Sequence, residues 1–150
     1  MARRQVSFQP TSEIALTAAA SKTVMRVSAS SSVGIVVLEY GVFFDGVSAV
    51  AEPVIVRLVR LSSDGTMTGL TGNLTGLIQG ETVQASGAFN ATVEPGLGAQ
   101  LELKEIHPQS GYEKAYGFNT ETYVPPSGRI GLVIMAPANV NCIPYMKIEE

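Results

Sequence analysis

Hydrophobic and polar positions alternate with a period of two along much of this chain, which is typical of β-strands. In residues 22–29, Met25 and Val27 alternate with Arg26 and Ser28. In residues 97–106, the leucines at 101 and 103 alternate with Glu102 and Lys104. Because successive strand side chains point to opposite faces, we expect the two leucines to be buried and the two charges to face water.

Two longer runs are apolar at almost every position. Residues 32–44 are β-branched and aromatic on both faces, as is typical of a central strand covered on both sides. Residues 53–61 are a second β-rich run, with Arg57 on one face and Arg60 on the other. Asp45-Gly46 follows the first run and Asp64-Gly65 the second, and both are turn signals. The first run therefore predicts a central strand and the second run a further strand, each followed by a turn.

The less regular segments also favour extended structure. Residues 65–80 are rich in Gly and Thr, which indicates a glycine-rich connection or bulged edge strands. Residues 11–23 are the one helix candidate, because Thr11 or Ser12 could cap it and alanines favour helix, but a strand or extended arm is preferred.

The spacing of these elements predicts a single-domain, all-β protein. About eight strands separated by Gly/Pro turns in 150 residues favour a β-sandwich, and a jelly-roll-like arrangement is the specific prediction. An immunoglobulin-like sandwich is the alternative. We expect an N-terminal arm over residues 1–12 and the sandwich over residues 13–150.

The composition indicates assembly with a partner. Charged residues make up 15% of the chain, hydrophobic residues 45%, and the mean hydropathy is +0.22. A chain with so little charge often buries surface against another molecule. The net charge of −3 and the lack of a basic stripe argue against nucleic acid binding, and no apolar run is long enough to span a membrane.

The residues needed for common enzyme chemistry are scarce. There is one histidine, His107, and one cysteine, Cys142, so we expect no metal site, no cofactor and no catalytic activity. Cys142 is expected to be a small buried apolar residue. His107 stands in the turn-rich segment 105–118, where we expect it to hydrogen-bond locally and hold a turn. The terminal Glu149 and Glu150 are expected to be solvated.

Four stretches together form a recognisable pattern: "LTAAASKTVMRVSA", "LEYGVFFDGVSAVAEPVIVRLVR", "EIHPQSGYEKAYGF" and "GRIGLVIMAPANVNCIPYMKIEE". This pattern resembles small structural proteins of tailed bacteriophages. The resemblance covers about residues 14–150, and it includes a loop similar to "HPQGGY" and a strand that ends in an acidic C-terminus. The chain departs from this pattern in residues 65–80, where the family has more proline and charge.

The resemblance implies a virion protein that decorates or cements the head. Such a protein is made in the host cytoplasm and then binds the major capsid protein on the capsid exterior, often as a homotrimer. Binding only to the assembled lattice would stabilise that lattice by mass action. A tail or baseplate attachment domain and a carbohydrate-binding module are the alternatives.

Two groups of residues are candidates for capsid or subunit contacts. The first lies in the expected arm, as a basic and apolar tether: Arg3, Arg4, Val6 and Phe8. The second lies in the segment that begins at the histidine, as a shaped aromatic loop: His107, Tyr112, Tyr116 and Phe118. Aromatic side chains with polar groups are favoured at interfaces, although packing of this loop against its own sandwich is an equally open interpretation.

Overall fold

A computed structural model describes residues 4–46, 52–75 and 81–150. These residues form an all-β protein in which two antiparallel sheets pack against each other, so the predicted β-sandwich is confirmed. Its thirteen strands are β1 (Gln5–Phe8), β2 (Ile14–Leu16), β3 (Ser21–Ser28), β4 (Ile35–Phe44), β5 (Val54–Leu61), β6 (Thr66–Leu70), β7 (Asn73–Leu74), β8 (Ser86–Val93), β9 (Leu97–Ile106), β10 (Gly111–Ala115), β11 (Thr122–Val124), β12 (Arg129–Met135) and β13 (Val140–Glu149).

Eight of the strands follow the order of a jelly roll. The first sheet contains β10-β4-β13-β1-β7, with β11 beside β4 and β2 beside β13. The second sheet contains β6-β8-β3-β12-β5-β9. Strands β1, β13, β4 and β10 therefore face β3, β12, β5 and β9, and the chain passes between the sheets as a jelly roll does.

The structure has thirteen strands, whereas the sequence predicted about eight, because several strands are inserted or very short. Strands β6, β7 and β8 are inserted between β5 and β9, and they extend the edges beside β3 and β1. Strands β2, β7 and β11 are only two or three residues long, too short to show a clear alternation. On the other side of the sandwich, β9 is an outer strand of one sheet, while β10 and β11 lie outermost in the other.

One hydrophobic core lies between the sheets. It combines side chains such as Val42 and Met146 of the first sheet with Leu58 and Leu132 of the second, all fully buried. Burial on this scale is the main favourable contribution to folding a domain of this size. Cys142 is 1% exposed and packs in this core, as predicted from the sequence.

The first residues of the chain form a strand, which corrects the expectation of an arm over residues 1–12. Strand β1 pairs with β13 on one side and with β7 on the other. Its Val6 and Phe8 are 0% exposed, because the strand lies inside the sheet and turns these side chains into the core. An apolar residue at every second position was the signal for this strand.

A crossover of two antiparallel segments links β5 and β9 to the inserted strands. Ser62 donates its backbone N–H to the carbonyl oxygen of Gly96, so the outgoing and returning segments run side by side. Asp64 accepts two hydrogen bonds from the Arg129 guanidinium at 2.6 and 3.1 Å, and it pairs with Arg26 at 3.0 Å. These contacts fix the crossover on β12 and β3.

The glycine-rich segment is partly described. Strands β6 and β7 lie at sheet edges, and the register of β6 shifts between Thr66 and Thr68, as expected for a bulged edge strand. Residues 76–80 lie outside the described residues. In the part of the chain that the structure describes, no helix is long and apolar enough to cross a membrane.

Candidate interaction site at the β9–β10 edge

The β9–β10 edge is the side of the sandwich formed by β9, β10, β11 and the connections between them. Its first connection is a turn built around His107. The Nδ1 atom of His107 accepts a hydrogen bond from the backbone N–H of Gln109 at 3.2 Å. The backbone carbonyl oxygen of His107 accepts a hydrogen bond from the N–H of Ser110 at 2.9 Å. The predicted local role of the histidine is therefore confirmed.

The segment after this turn is a strand, not the loop that the sequence predicted. Strand β10 pairs with β4, and this pairing places Tyr112 opposite Val42. Tyr112 and Tyr116 are partly buried and pack against the core. Their rings lie 6.0 and 6.3 Å from the ring of Tyr40, in tilted arrangements that aromatic pairs favour. These two tyrosines thus serve intradomain packing.

A carboxylate joins the two sheets beside these rings. Glu102 of β9 accepts hydrogen bonds from the Tyr40 hydroxyl at 2.5 Å, the Lys114 ammonium at 2.5 Å and the Tyr116 hydroxyl at 2.9 Å. The ammonium of Lys114 also lies 4.8 Å from the centre of the Tyr116 ring. Glu102 belongs to the second sheet, whereas Tyr40 and Lys114 belong to the first sheet and Tyr116 directly follows its strand β10. The cluster therefore connects the two sheets at this edge.

The same cluster shifts the pKa values of its members. Burial disfavours the charged form of Glu102, but the hydrogen bonds from Lys114, Tyr40 and Tyr116 outweigh it, so the pKa of Glu102 lies below its usual value. Burial, with the bond to Glu102, raises the pKa of Tyr40 far above its usual value. Burial also raises the pKa of Tyr116 to about 12. At neutral pH the cluster therefore contains one carboxylate and neutral phenols.

The leucines of β9 face the opposite way from the sequence prediction. Leu101 and Leu103 are 36% and 47% exposed, whereas the side chain of Glu102 is only 15% exposed. The prediction was wrong because β9 is an edge strand, so the neighbouring sheet supplies polar partners for an inward carboxylate. An inward charge is one of the devices that edge strands use, and this was the signal available in the sequence.

Phe118 is the most exposed of the large hydrophobic side chains in the described ranges, at 86%. It lies between β10 and β11 in a turn closed by the N–H of Thr120 donating to the carbonyl oxygen of Gly117 at 3.0 Å. The next residue, Asn119, has a left-handed backbone with φ of 65°. The turn therefore holds Phe118 away from the body of the protein.

Exposed apolar side chains concentrate on this edge. Seven large hydrophobic side chains are exposed in the described residues, and five belong to the β9–β10 edge. These five are Leu97, Leu101, Leu103, Phe118 and Tyr123. The opposite edge strands, β6 and β7, contribute none. An apolar concentration of this kind is typical of an interaction surface.

The remaining residues predicted to contact a capsid are differently placed. Arg3 lies outside the described residues. Arg4 exchanges backbone hydrogen bonds with Glu150, and its guanidinium donates to the carbonyl oxygen of Thr82 at 2.9 Å and pairs with Glu81 at 3.3 Å. Its contacts are therefore within the chain. With Val6 and Phe8 in the core, the structure does not bring the N-terminal candidates together with the β9–β10 edge.

The side chain of Glu150 is buried, contrary to the expectation of a solvated terminus. Its side chain is 0% exposed, and its carboxylate accepts the backbone N–H groups of Gln84 and Ala85 at distances from 2.7 to 3.1 Å. This carboxylate therefore fixes the segment that leads into β8. The sequence held no local signal for these contacts, since the partners are more than 60 residues apart.

A second surface feature lies on the outer face of the first sheet. Phe43 and Tyr145 stack with their ring centres 6.3 Å apart and an interplanar angle of 12°. The Tyr145 hydroxyl donates to Glu39 at 2.5 Å and lies 2.9 Å from a carboxylate oxygen of Glu113, while Lys147 donates to Glu39 at 2.9 Å. Phe43 is 43% exposed and Tyr145 only 7%.

Across the described residues, no group of three or more His, Cys, Asp and Glu side chains is arranged to hold a metal ion. Comparisons of the chain with protein-family models, with curated proteins and with solved structures gave no significant match.

Proposed function

We propose that this chain is a virion structural protein that binds the outer surface of a bacteriophage head and stabilises the capsid lattice. The observation that carries the proposal is the concentration of exposed apolar side chains on the β9–β10 edge, led by Phe118. The resemblance of the sequence to small phage structural proteins supports the choice of the major capsid protein as partner.

The geometry of the edge suits binding to another protein surface. Phe118 lies on a short turn, and Tyr123 of the adjoining β11 is 54% exposed. Aromatic side chains of this kind contribute strongly to interfaces, because they bury a large area with few rotatable bonds. The core behind them is a closed sandwich, so the edge is presented on a rigid support.

Co-sedimentation tests the proposal. The purified protein is mixed with expanded phage heads and, separately, with isolated tails, and we expect it to sediment with the heads alone. Phe118→Ser should weaken binding to heads about tenfold or more, as expected for a central aromatic contact. The matched control is Val93→Ser, because Val93 is 60% exposed but lies outside the edge.

The possible outcomes separate the alternatives. Sedimentation with tails alone would overturn the head assignment in favour of a tail or baseplate attachment domain. Equal loss of binding in Phe118→Ser and Val93→Ser would contradict the placement of the contact at the β9–β10 edge.

Carbohydrate binding is the second candidate, and the stacked pair Phe43 and Tyr145 beside Glu39 favours it. Sugar sites commonly combine a flat aromatic ring with carboxylate acceptors. Only Phe43 offers an exposed ring here, and the Tyr145 hydroxyl is already engaged, so we rank this function second. A glycan array with hits that Phe43→Ala abolishes would reverse the ranking.

A further inference from the structure

Strand β9 is the outer strand of its sheet and is ten residues long. Within residues 4–46, 52–75 and 81–150 it pairs only with β5, so no described strand covers its other side. Every residue of β9 except Glu102 and Ile106 is exposed. Its free backbone N–H and C=O groups form a template to which another strand can add.

Strand β9 has two of the devices that protect an edge strand, the inward Glu102 and the register shifts with β5, but its outward side remains apolar. The strand contains no proline, and three of its leucines are 36% to 49% exposed. By contrast, the other edge of the same sheet, β6, is five residues long and exposes no large hydrophobic side chain. Exposed leucines on a long open edge favour pairing with another strand over permanent contact with water.

We propose that the second strand comes from a second copy of this chain, so that two β9 strands pair antiparallel about a two-fold axis at Leu103. Such an interface is isologous, since each residue meets its counterpart in the other copy. It joins two six-stranded sheets into one continuous sheet and occupies the outer side of β9 in both copies, so no further copy can add at β9.

The charges on β9 select this register. With the axis at Leu103, Glu102 of each copy lies opposite Lys104 of the other, which gives two ion pairs, and Leu103 meets Leu103. An axis at residue 102, 104 or 105 would instead place Glu opposite Glu or Lys opposite Lys. An axis at Leu101 would fall on the irregularity between Glu102 and Gln100, where the register with β5 shifts.

Lys104 is available for this contact. Its side chain makes no hydrogen bond or ion pair with any described residue, whereas its neighbour Glu102 is already held in place by Lys114 and two tyrosines. Glu102 is a fixed carboxylate, and Lys104, two residues further along the strand, is an ammonium that pairs with no described residue. When a second β9 runs antiparallel to the first, each of these two charges meets the opposite charge of the other copy. A dimer formed this way takes the place of the trimer that the family resemblance implies.

Sedimentation velocity of the purified full chain tests the interface. We expect a dimer at micromolar concentration, and Lys104→Glu should raise the dimer dissociation constant at least tenfold, because both ion pairs become repulsive. Lys22→Glu makes the same change of charge on the inner strand β3 and should leave the dimer intact. A monomeric wild-type protein, or a trimer that Lys104→Glu leaves unchanged, would overturn the proposal.

Disulfide cross-linking tests the register. In Leu103→Cys the two introduced thiols face each other across the axis, so oxidation by copper phenanthroline in air should link the copies covalently. In Glu105→Cys the introduced thiols lie opposite Leu101, and we expect little cross-linked dimer. The native Cys142 does not interfere, because it is 1% exposed and burial raises its pKa to about 12. Equal cross-linking of both variants would refute the register.

The inference does not depend on the proposed function. The purified chain is tested without capsids, so failure of the dimer and failure of head binding give separate results.

Discussion

The hydroxyl of Tyr40 on β4 donates a 2.5 Å hydrogen bond to the carboxylate of Glu102 on β9, and this bond connects the two sheets. Tyr40 is 1% exposed, so Glu102 is the acceptor that allows a phenol to remain in the core. The inserted strands extend the opposite side of the sandwich, whereas a polar cluster closes the β9–β10 edge.

Removing this acceptor should destabilise the fold. Glu102→Ala leaves the buried Tyr40 hydroxyl without a partner, and we expect it to lower the free energy of unfolding by about 2–3 kcal/mol. Urea unfolding followed by circular dichroism at low protein concentration measures this, so that association does not contribute. Glu105→Ala, on the same strand but exposed, should change the value by less than about 0.5 kcal/mol. Equal effects would contradict the role of Glu102.

The same carboxylate gives the protein an acid-sensitive component of stability. The pKa of Glu102 in the folded protein lies below the ordinary value of 4.5, so its stabilising contribution is complete above that value and is lost as pH falls through the folded pKa. The difference in unfolding free energy between the wild type and Glu102→Gln should therefore shrink between about pH 6 and pH 3. A difference that stays constant over this range would contradict the pKa shift.

The N-terminal strand should be essential for stability. Phe8 is 0% exposed, and truncation to alanine should cost about 3–5 kcal/mol in urea unfolding. The milder Phe8→Leu should cost about 1–1.5 kcal/mol and keeps the test informative if the alanine variant does not fold. Gln5→Ala, at an exposed position of the same strand, is the control. A Phe8→Ala protein as stable as the control would show that β1 does not pack as described.

Close packing on the outer face of the first sheet should make Gly41 intolerant of a side chain. A Cβ atom there would lie 2.5 Å from Cε1 of Tyr145 and 2.8 Å from the backbone oxygen of Tyr112. We expect Gly41→Ala to lower the melting temperature and cost about 1–3 kcal/mol. Gly69→Ala has no atom within 4 Å of its new Cβ and should be neutral or stabilising by up to about 1 kcal/mol. Similar melting of both variants would contradict the packing of Tyr145 over Gly41.

Part of the candidate site could be predicted from local pattern. The turn-rich aromatic segment predicts Phe118 as a contact residue, and Phe118 is 86% exposed. Tyr112 and Tyr116 came from the same segment, but they pack against the core. The local sequence could not separate these cases, since inward or outward orientation depends on β10 pairing with β4.

The N-terminal candidates Val6 and Phe8 were predicted to be surface contacts but are core residues. Their position before the first long strand predicts a tether. Their alternation with polar residues was a sufficient signal for a short strand, but its partners β13 and β7 are distant in sequence. Pairing over such a separation cannot be inferred from four residues.

The sequence by itself determined the β-sandwich and the burial of Cys142, because strand alternation and turn residues are local properties. Only the tertiary structure decided the strand order, the insertion of β6–β8 and the inward direction of Glu102. The alternation of leucine and charge in β9 defines two faces but not which one is buried. That choice depends on the partners available, and Tyr40, Tyr116 and Lys114 come from the opposite sheet and its flank.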